Sequence, residues 1–172
     1  MTIVKIHALR WLMLFCFFGA GCVRPAVNTP ALPVVVGVGA PAVIIPVEVA
    51  RSDNHLSALY QSFWFPSKEV VGEAEQRLRG FLESEKHNAT GYSGTKIPDI
   101  LENLGQYRRQ YVGVVVDGEQ RILFNVLTRE QHKYSDWRQH YVYLIEGASD
   151  CWRVEYLVSS RQYTNFNASF GY

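Results

Sequence analysis

Three groups of residues in this sequence have the types and spacing that could support chemistry. Cys151 and His140 form the first, because a cysteine thiolate needs a neighbouring base or cation at neutral pH. Cys151 follows a turn in an aromatic-rich strand, however, where free cysteine usually behaves as a small buried hydrophobe. A structural role for Cys151 is therefore favoured over a nucleophilic one.

His132, Asp136 and His140 form the second group, at intervals of four residues. On a helix this spacing would place nitrogen and oxygen ligands for zinc on one face. The segment has no hydrophobic stripe, which favours a polar loop. The chain also has no phosphate-binding glycine loop and no nucleotide fingerprint. The sequence therefore predicts neither a metal site nor a cofactor.

The third group surrounds Arg109, which shares one face of a predicted strand with Tyr107 and Tyr111. If that face is buried, the guanidinium needs a carboxylate or carbonyl partner, because an unpaired buried charge is costly. Asp136 and Glu155 are the candidate partners for such a structural pair. The alternative is a small polar binding recess walled by tryptophan. Its residues would be Arg109, Tyr107, Tyr111, Trp137 and Trp152.

A predicted β-hairpin over residues 107–128 would position Arg109. Asp117 and Gly118 separate two runs of β-branched and aromatic residues, and this dipeptide favours a type I′ turn, whose central residues both need φ > 0. The turn fixes the register as Tyr111–Phe124, Gly113–Ile122 and Val115–Gln120. Alternation along the strands then predicts a core-facing set of Tyr111, Val115, Ile122, Phe124 and Val126.

Two helices are predicted before the hairpin. The first follows the N-cap Ser67 and runs to about residue 88, with apolar residues at helical spacing on one side. Its polar side is predicted to carry the i,i+4 ion pairs Glu73–Arg77 and Glu75–Arg79. After a loop over 88–95, a shorter helix has Pro98 in its first turn and Gly105 as its C-cap.

The strands after the hairpin complete the predicted fold class. A pair is predicted over 140–146 and 151–158, followed by a final strand over 163–170. Residues 51–65 are apolar and aromatic, but periodicity does not separate helix from strand there. Helices followed by consecutive antiparallel strands indicate an α+β fold, with two N-terminal helices packed on a four- to five-stranded antiparallel meander sheet.

The N-terminus has the pattern of an export signal. Lys5 and Arg10 precede an apolar run over 11–18 that is too short to span a bilayer, and small residues lead into Cys22. The segment resembles a bacterial lipoprotein signal, although Gly19 stands where that family usually has an aliphatic residue. The resemblance implies that Cys22 is acylated and becomes the mature N-terminus. The alternative is an ordinary cleaved signal with an incidental cysteine.

The chain is predicted to divide into a signal peptide over 1–21, a tether over 22–50 and a single domain over 51–172. The tether is rich in proline and valine, which prevents a continuous helix and indicates an extended spacer. Two aliphatic runs, 34–36 and 43–45, could instead pack on the domain as an edge strand or lie on the lipid surface.

Net charge gives no reason to expect a nucleic-acid partner. Without residues 1–22, which carry Lys5 and Arg10 and no acid, the chain has 15 basic and 16 acidic residues. Cys151 is then the one cysteine outside the N-terminal segment, so the sequence predicts no intramolecular disulfide framework.

Residues 107–172 resemble a group of small bacterial exported proteins and lipoproteins. The pattern of that group is a Tyr-x-Arg-Gln-Tyr-x-Gly strand, an asparagine on the next strand, an Asp-Trp pair, a strand running into Asp-Gly-Gly, and an aromatic strand. The corresponding residues here are 107–113, Asn125, Asp136-Trp137, Glu146-Gly147-Ala148 and 152–156. Asp-Gly-Gly has become Glu-Gly-Ala, and the closing Asn-Gly of the group is shifted or lost near Gly171. The resemblance implies fold and location, and it implies no activity.

Together these patterns predict a lipid-anchored protein of the cell envelope. Val23 stands where lipoproteins retained in the inner membrane usually have aspartate, which favours the outer membrane with the domain facing the periplasm. The predicted role is a binding or assembly module, with the membrane as partner through the lipid on Cys22 and another envelope protein as a second partner. The alternative is an envelope hydrolase that uses polar residues near the sheet. An enzyme should show a concave pocket with converging titratable groups, and a binding module should show an exposed aromatic surface.

Overall fold

The computed structural model describes residues 34–37, 40–88, 92–128, 136–143 and 151–168, which all belong to one compact unit. The described helices are α1 (Val47–Ser52), α2 (Asn54–Leu59), α3 (Lys68–Asn88) and α4 (Tyr92–Glu102), with a 3₁₀ turn at Leu104–Gln106. The described strands are β1 (Val34–Gly37), β2 (Ala40–Ile44), β3 (Ser62–Trp64), β4 (Arg108–Val116), β5 (Glu119–Leu127), β6 (Trp152–Leu157) and β7 (Gln162–Asn167). None of the described helices is long and apolar enough to cross a membrane.

The described strands form one sheet in the spatial order β1-β2-β4-β5-β6-β7. Neighbours pair antiparallel except β2, which runs parallel to the first half of β4. The short strand β3 pairs with the second half of β4, along the same edge as β2. A mixed α/β fold with a mostly antiparallel sheet is therefore confirmed. The simple meander is wrong, because β2 and β3 both insert beside β4.

The β4–β5 hairpin has the predicted turn and register. Asp117 and Gly118 have φ values of 52° and 80°, as a type I′ turn requires. The predicted pairs Tyr111–Phe124, Gly113–Ile122 and Val115–Gln120 all form. Four residues of the predicted core-facing set are fully buried, namely Tyr111, Ile122, Phe124 and Val126, and Val115 is partly exposed. We call the side of the sheet that carries this set the first face.

Residues of α3 and α4 share a hydrophobic cluster with the first face. The helix α3 begins after Ser67, whose hydroxyl accepts a hydrogen bond from the Val70 N–H at 3.4 Å, and it ends at Asn88 as predicted. The clustered residues of α3 are Val71, Ala74, Leu78 and Leu82, and those of α4 are Ile97 and Ile100. The helix α4 starts earlier than predicted, at Tyr92, so that Pro98 lies inside it.

The opposite side of the sheet, the second face, is buried as well. Val112 and Leu123 of the hairpin share a cluster with Ala50 of α1 and Leu56 of α2. Trp137 of the segment 136–143 belongs to the same cluster. A sheet covered on both faces explains why consecutive residues of the hairpin, 111–114 of β4 and 122–127 of β5, are all buried.

The predicted tether is wrong for residues 40–50, and residues 34–37 lie in the sheet. Val43 and Ile44 are completely buried, and β2 pairs with residues 109–111 of β4. Pro41 does not prevent this, because the β2–β4 pairing begins one residue later. The alternative of a strand packed on the domain is therefore the correct one for this segment. The rest of the predicted tether, 22–33 and 38–39, lies outside the described residues.

The strand predicted over 140–146 is wrong for its described part, since residues 140–143 form no strand. Residues 144–146 lie outside the described residues. The strand β6, which falls within the predicted 151–158, pairs with β5. The final strand β7 pairs with β6 as the last strand of the described sheet.

Candidate functional site

Arg109 forms a buried ion pair with Glu75, which reaches it from α3. Its Nε lies 3.1 Å from Glu75 Oε1, without the alignment of a hydrogen bond, and the two side chains are 1% and 5% exposed. The guanidinium also donates to the backbone carbonyls of Leu104 at 2.8 Å and Tyr107 at 3.3 Å. Glu75 Oε1 accepts the Tyr111 hydroxyl at 2.6 Å. Groups of its own chain thus enclose the guanidinium, which favours the structural interpretation over a binding recess.

Two tyrosine hydroxyls beside this ion pair are strongly held in their neutral form. Burial, together with the negative charge of Glu75, raises the pKa of the Tyr111 phenol well above its ordinary value. The same causes raise the pKa of Tyr163, whose hydroxyl donates to the Ala74 carbonyl at 2.6 Å. Both phenols therefore act as hydrogen-bond donors that connect α3 to the sheet.

The partner of Arg109 was not among the candidates that the sequence offered. Asp136 is exposed, and Glu155 lies on the second face, away from Arg109. Glu75 is the partner instead. A signal for this exists in the sequence: Glu75 is four residues after Val71 and three before Leu78, so it belongs to the apolar stripe of α3.

The predicted Glu75–Arg79 pair is wrong for the same reason, because Glu75 points into the core. Arg79 instead lies 3.9 Å from Glu83, and both of these side chains are 59% exposed. The predicted Glu73–Arg77 pair forms at 3.6 Å on the surface of α3. Glu73 also pairs with Arg161 at 2.9 Å.

The other residues of the predicted recess lie on both faces of the sheet. Tyr107 and Trp152 belong to the cluster of the first face and pack edge to face, with ring centroids 6.0 Å apart. Trp137 is buried on the second face, where the guanidinium carbons of Arg108 and Arg138 lie 5.2 and 4.9 Å from its ring centre. The sheet therefore separates Trp137 from Arg109, and the five residues do not form one recess.

Two buried amides hold the segment 136–143 on the second face, and we call Gln110 and Asn125 the amide clamp. The Nε2 of Gln110 donates to the carbonyls of Trp137 at 2.6 Å and His140 at 2.7 Å. Its Oε1 accepts from the Val142 N–H and from Asn125 Nδ2, both at 2.9 Å. All hydrogen-bonding capacity of the Gln110 amide is thus used. Backbone groups that a strand would pair with another strand are paired here with side chains.

Asn125 completes the clamp from the neighbouring strand. Its Nδ2 donates a second hydrogen bond to the Val142 carbonyl at 2.9 Å. Its Oδ1 is buried and has no hydrogen-bond partner within the described part of the chain. The amide clamp therefore fixes the path of segment 136–143 across the second face.

Glu155 is the centre of a second polar network on the second face. Its Oε1 accepts the Tyr60 hydroxyl at 2.8 Å. Its Oε2 accepts from Arg121 Nη1 at 2.9 Å and from Asn165 Nδ2 at 3.0 Å. Burial, with the negative charge of Glu155 beside it, raises the pKa of the Tyr60 phenol. Every oxygen of this carboxylate is occupied by a protein donor.

Cys151 is buried and borders a small cavity rather than an open site. The cavity measures about 30 Å³ and is also lined by Lys96, Tyr107 and Trp152. A volume of that size holds about one water molecule. This geometry fits the structural interpretation of Cys151.

The second group of candidate residues is only partly described. His132 lies outside the described residues, and Asp136 and His140 are both exposed. Across the described ranges, no group of three or more His, Cys, Asp or Glu side chains could hold a metal ion.

One exposed patch stands out on the surface of α2. Leu59 is 64% exposed and Tyr143 is 43% exposed. Tyr143 stacks on His55, with ring centroids 3.8 Å apart and planes 12° from parallel. His55 and Leu59 are four residues apart on α2, which makes them neighbours on its surface. We call Leu59, His55 and Tyr143 the aromatic patch.

Comparison of the chain with protein-family models, curated proteins and solved structures found no match.

Proposed function

We propose that this chain is a lipid-anchored protein of the bacterial cell envelope whose folded unit is a binding module. The anchor is supported by the order of basic residues, apolar run and small residues that leads into Cys22. The resemblance of residues 107–172 to exported bacterial proteins supports the same location. Val23 after the cysteine favours the outer membrane.

The observation that carries the binding role is the aromatic patch. A stacked pair of rings beside an exposed leucine presents aromatic and apolar surface to solvent, and tyrosine is enriched at interfaces. The buried charged side chains that could have served in catalysis are instead bound to other groups of the protein. Arg109 is bound to Glu75, and Glu155 is bound to three donors.

The packing of the helices indicates which side of the unit is free for contact. We infer that α3 and α4 together cover the first face of the sheet, because their apolar residues share its cluster. The aromatic patch belongs to α2 and the segment 136–143, on the second face. Contact with a partner there leaves the first-face core undisturbed.

The anchor is tested by comparing wild type with Cys22→Ser in bacterial cells grown with an alkyne-tagged fatty acid. The wild-type protein should carry the tag and sediment with membranes, and it should band with the outer membrane on a density gradient. Cys22→Ser should lose the tag, because serine offers no thiol for thioether formation. A wild-type protein that is exported but untagged and soluble would contradict the anchor and support an ordinary cleaved signal.

A further inference from the structure

We infer that the aromatic patch lies against the lipid headgroups of the membrane that holds Cys22. This inference rests on the proposed lipid anchor, and it adds the occupant of the binding surface. The sequence pattern predicted a spacer up to residue 50, whereas the structure places β1 from Val34 onward.

The shorter connection limits how far the unit can move from the membrane. Val34 is twelve positions after Cys22, and a fully extended chain of that length spans at most about 40 Å. A spacer up to residue 50 would span about 100 Å. A folded unit of this size is itself roughly 40 Å across. The unit therefore stays within about its own diameter of the anchoring bilayer.

The patch has the chemistry of a residue set at a membrane interface. Tyrosine is enriched at headgroup level, since its ring is apolar and its hydroxyl reaches water or polar headgroups. Leu59 projects from α2 beside it and would enter the boundary with the acyl chains. The nearest acid on the helix, Asp53, is occupied as the N-cap of α2, where it accepts the N–H groups of His55 and Leu56 at 3.0 and 2.9 Å.

A patch of this size would bind a membrane weakly if the protein were free. The acyl anchor makes the contact intramolecular, and short linkers give effective concentrations in the millimolar range. Weak apolar contact is then sufficient to orient the unit. A second copy or another protein would need a larger apolar surface for stable binding.

The orientation is tested with nitroxide labels on the full-length acylated protein in vesicles of phosphatidylethanolamine and phosphatidylglycerol. One variant carries Leu59→Cys in the patch. The control carries Glu83→Cys, at a side chain that is 59% exposed on α3, whose apolar residues belong to the first-face cluster. Cys151 is 2% exposed and Cys22 is acylated, so an unmutated sample should take up no label. Accessibility to oxygen and to a water-soluble nickel complex is measured for each label.

The label at position 59 should show an oxygen-to-nickel ratio several-fold higher than the label at position 83. Equal, water-like ratios at both positions in an acylated, vesicle-bound protein would overturn the patch orientation and leave the anchor intact. High ratios at both positions would also overturn it, because they indicate nonspecific adsorption. A protein without acyl groups on Cys22 would overturn the proposed anchor, and the orientation with it.

Discussion

Removing both partners of the Arg109–Glu75 pair should destabilise the fold by clearly less than the sum of the two single removals, because each single removal leaves the other charge buried without its counter-ion. Arg109→Met leaves a carboxylate that is 5% exposed, and breaking a buried pair from one side costs about 3–5 kcal/mol. Glu75→Leu leaves a guanidinium bound to two carbonyls and should cost about as much. The double variant retains neither charge. The decrease in its free energy of unfolding should be smaller than the sum of the decreases in the two single variants by about 2 kcal/mol or more.

Urea unfolding at pH 7, followed by tryptophan fluorescence, gives the free energies for this cycle. The matched control is the exposed pair on the same helix, with Arg79→Met, Glu83→Leu and the double variant. Its coupling energy should be below about 0.5 kcal/mol, because both side chains are 59% exposed. A buried coupling as small as this surface coupling would refute the structural role of Arg109. An Arg109→Met protein with wild-type stability would restore Arg109 as a candidate binding residue.

Three further changes test the polar and backbone features of the fold. Burial raises the pKa of Tyr141 to about 12. The contribution of its neutral phenol to folding stability is therefore complete below pH 10 and is lost as the pH rises through 12. The hydroxyl removed in Tyr141→Phe has no hydrogen-bond partner among the described residues, so stability at pH 7 should stay nearly unchanged. At pH 12 the variant should be more stable than wild type by about 2 kcal/mol. Chemical unfolding in which the free energy falls equally steeply with alkaline pH in both proteins would disprove this. Gln110→Met should cost about 2–4 kcal/mol and speed hydrogen exchange at the Val142 amide, since it removes the clamp while keeping side-chain volume; unaltered exchange there would count against the clamp. Gly113→Ala should cost about 3 kcal/mol, because its Cβ would meet a backbone carbonyl of β3, whereas Gly80→Ala on α3 has open space and should stabilise by about 0.5–1 kcal/mol. Thermal melts of the two glycine variants should therefore shift in opposite directions, and a neutral Gly113→Ala would be inconsistent with the close approach of β3.

Local signals in the sequence were sufficient for the hairpin and for α3. The Asp117-Gly118 turn needs two positive φ angles in succession, and few dipeptides accept them, so the register followed directly. In α3 the apolar spacing and the N-cap Ser67 defined a helix over its whole length. Both elements are specified by residues close together in the chain.

The remaining features depend on contacts between distant residues. The parallel pairing of β2 with β4 joins segments more than sixty residues apart, and the proline content of the first segment suggested a spacer. The clamp by Gln110 takes the backbone groups that would have made residues 140–143 a strand. A binding recess around Arg109 was predicted because the carboxylate that binds its guanidinium was not recognised. That carboxylate belongs to Glu75 of α3, which the i,i+4 spacing with Arg79 had assigned to the surface.

The central claim is that Cys22 anchors this protein in the membrane, and the N-terminal peptide of the mature protein tests it most directly. Mass spectrometry of protein extracted from envelopes should find a peptide that begins at Cys22 and carries a thioether-linked diacylglyceryl group. A peptide that begins at another residue, or one with an unmodified Cys22, would contradict the claim.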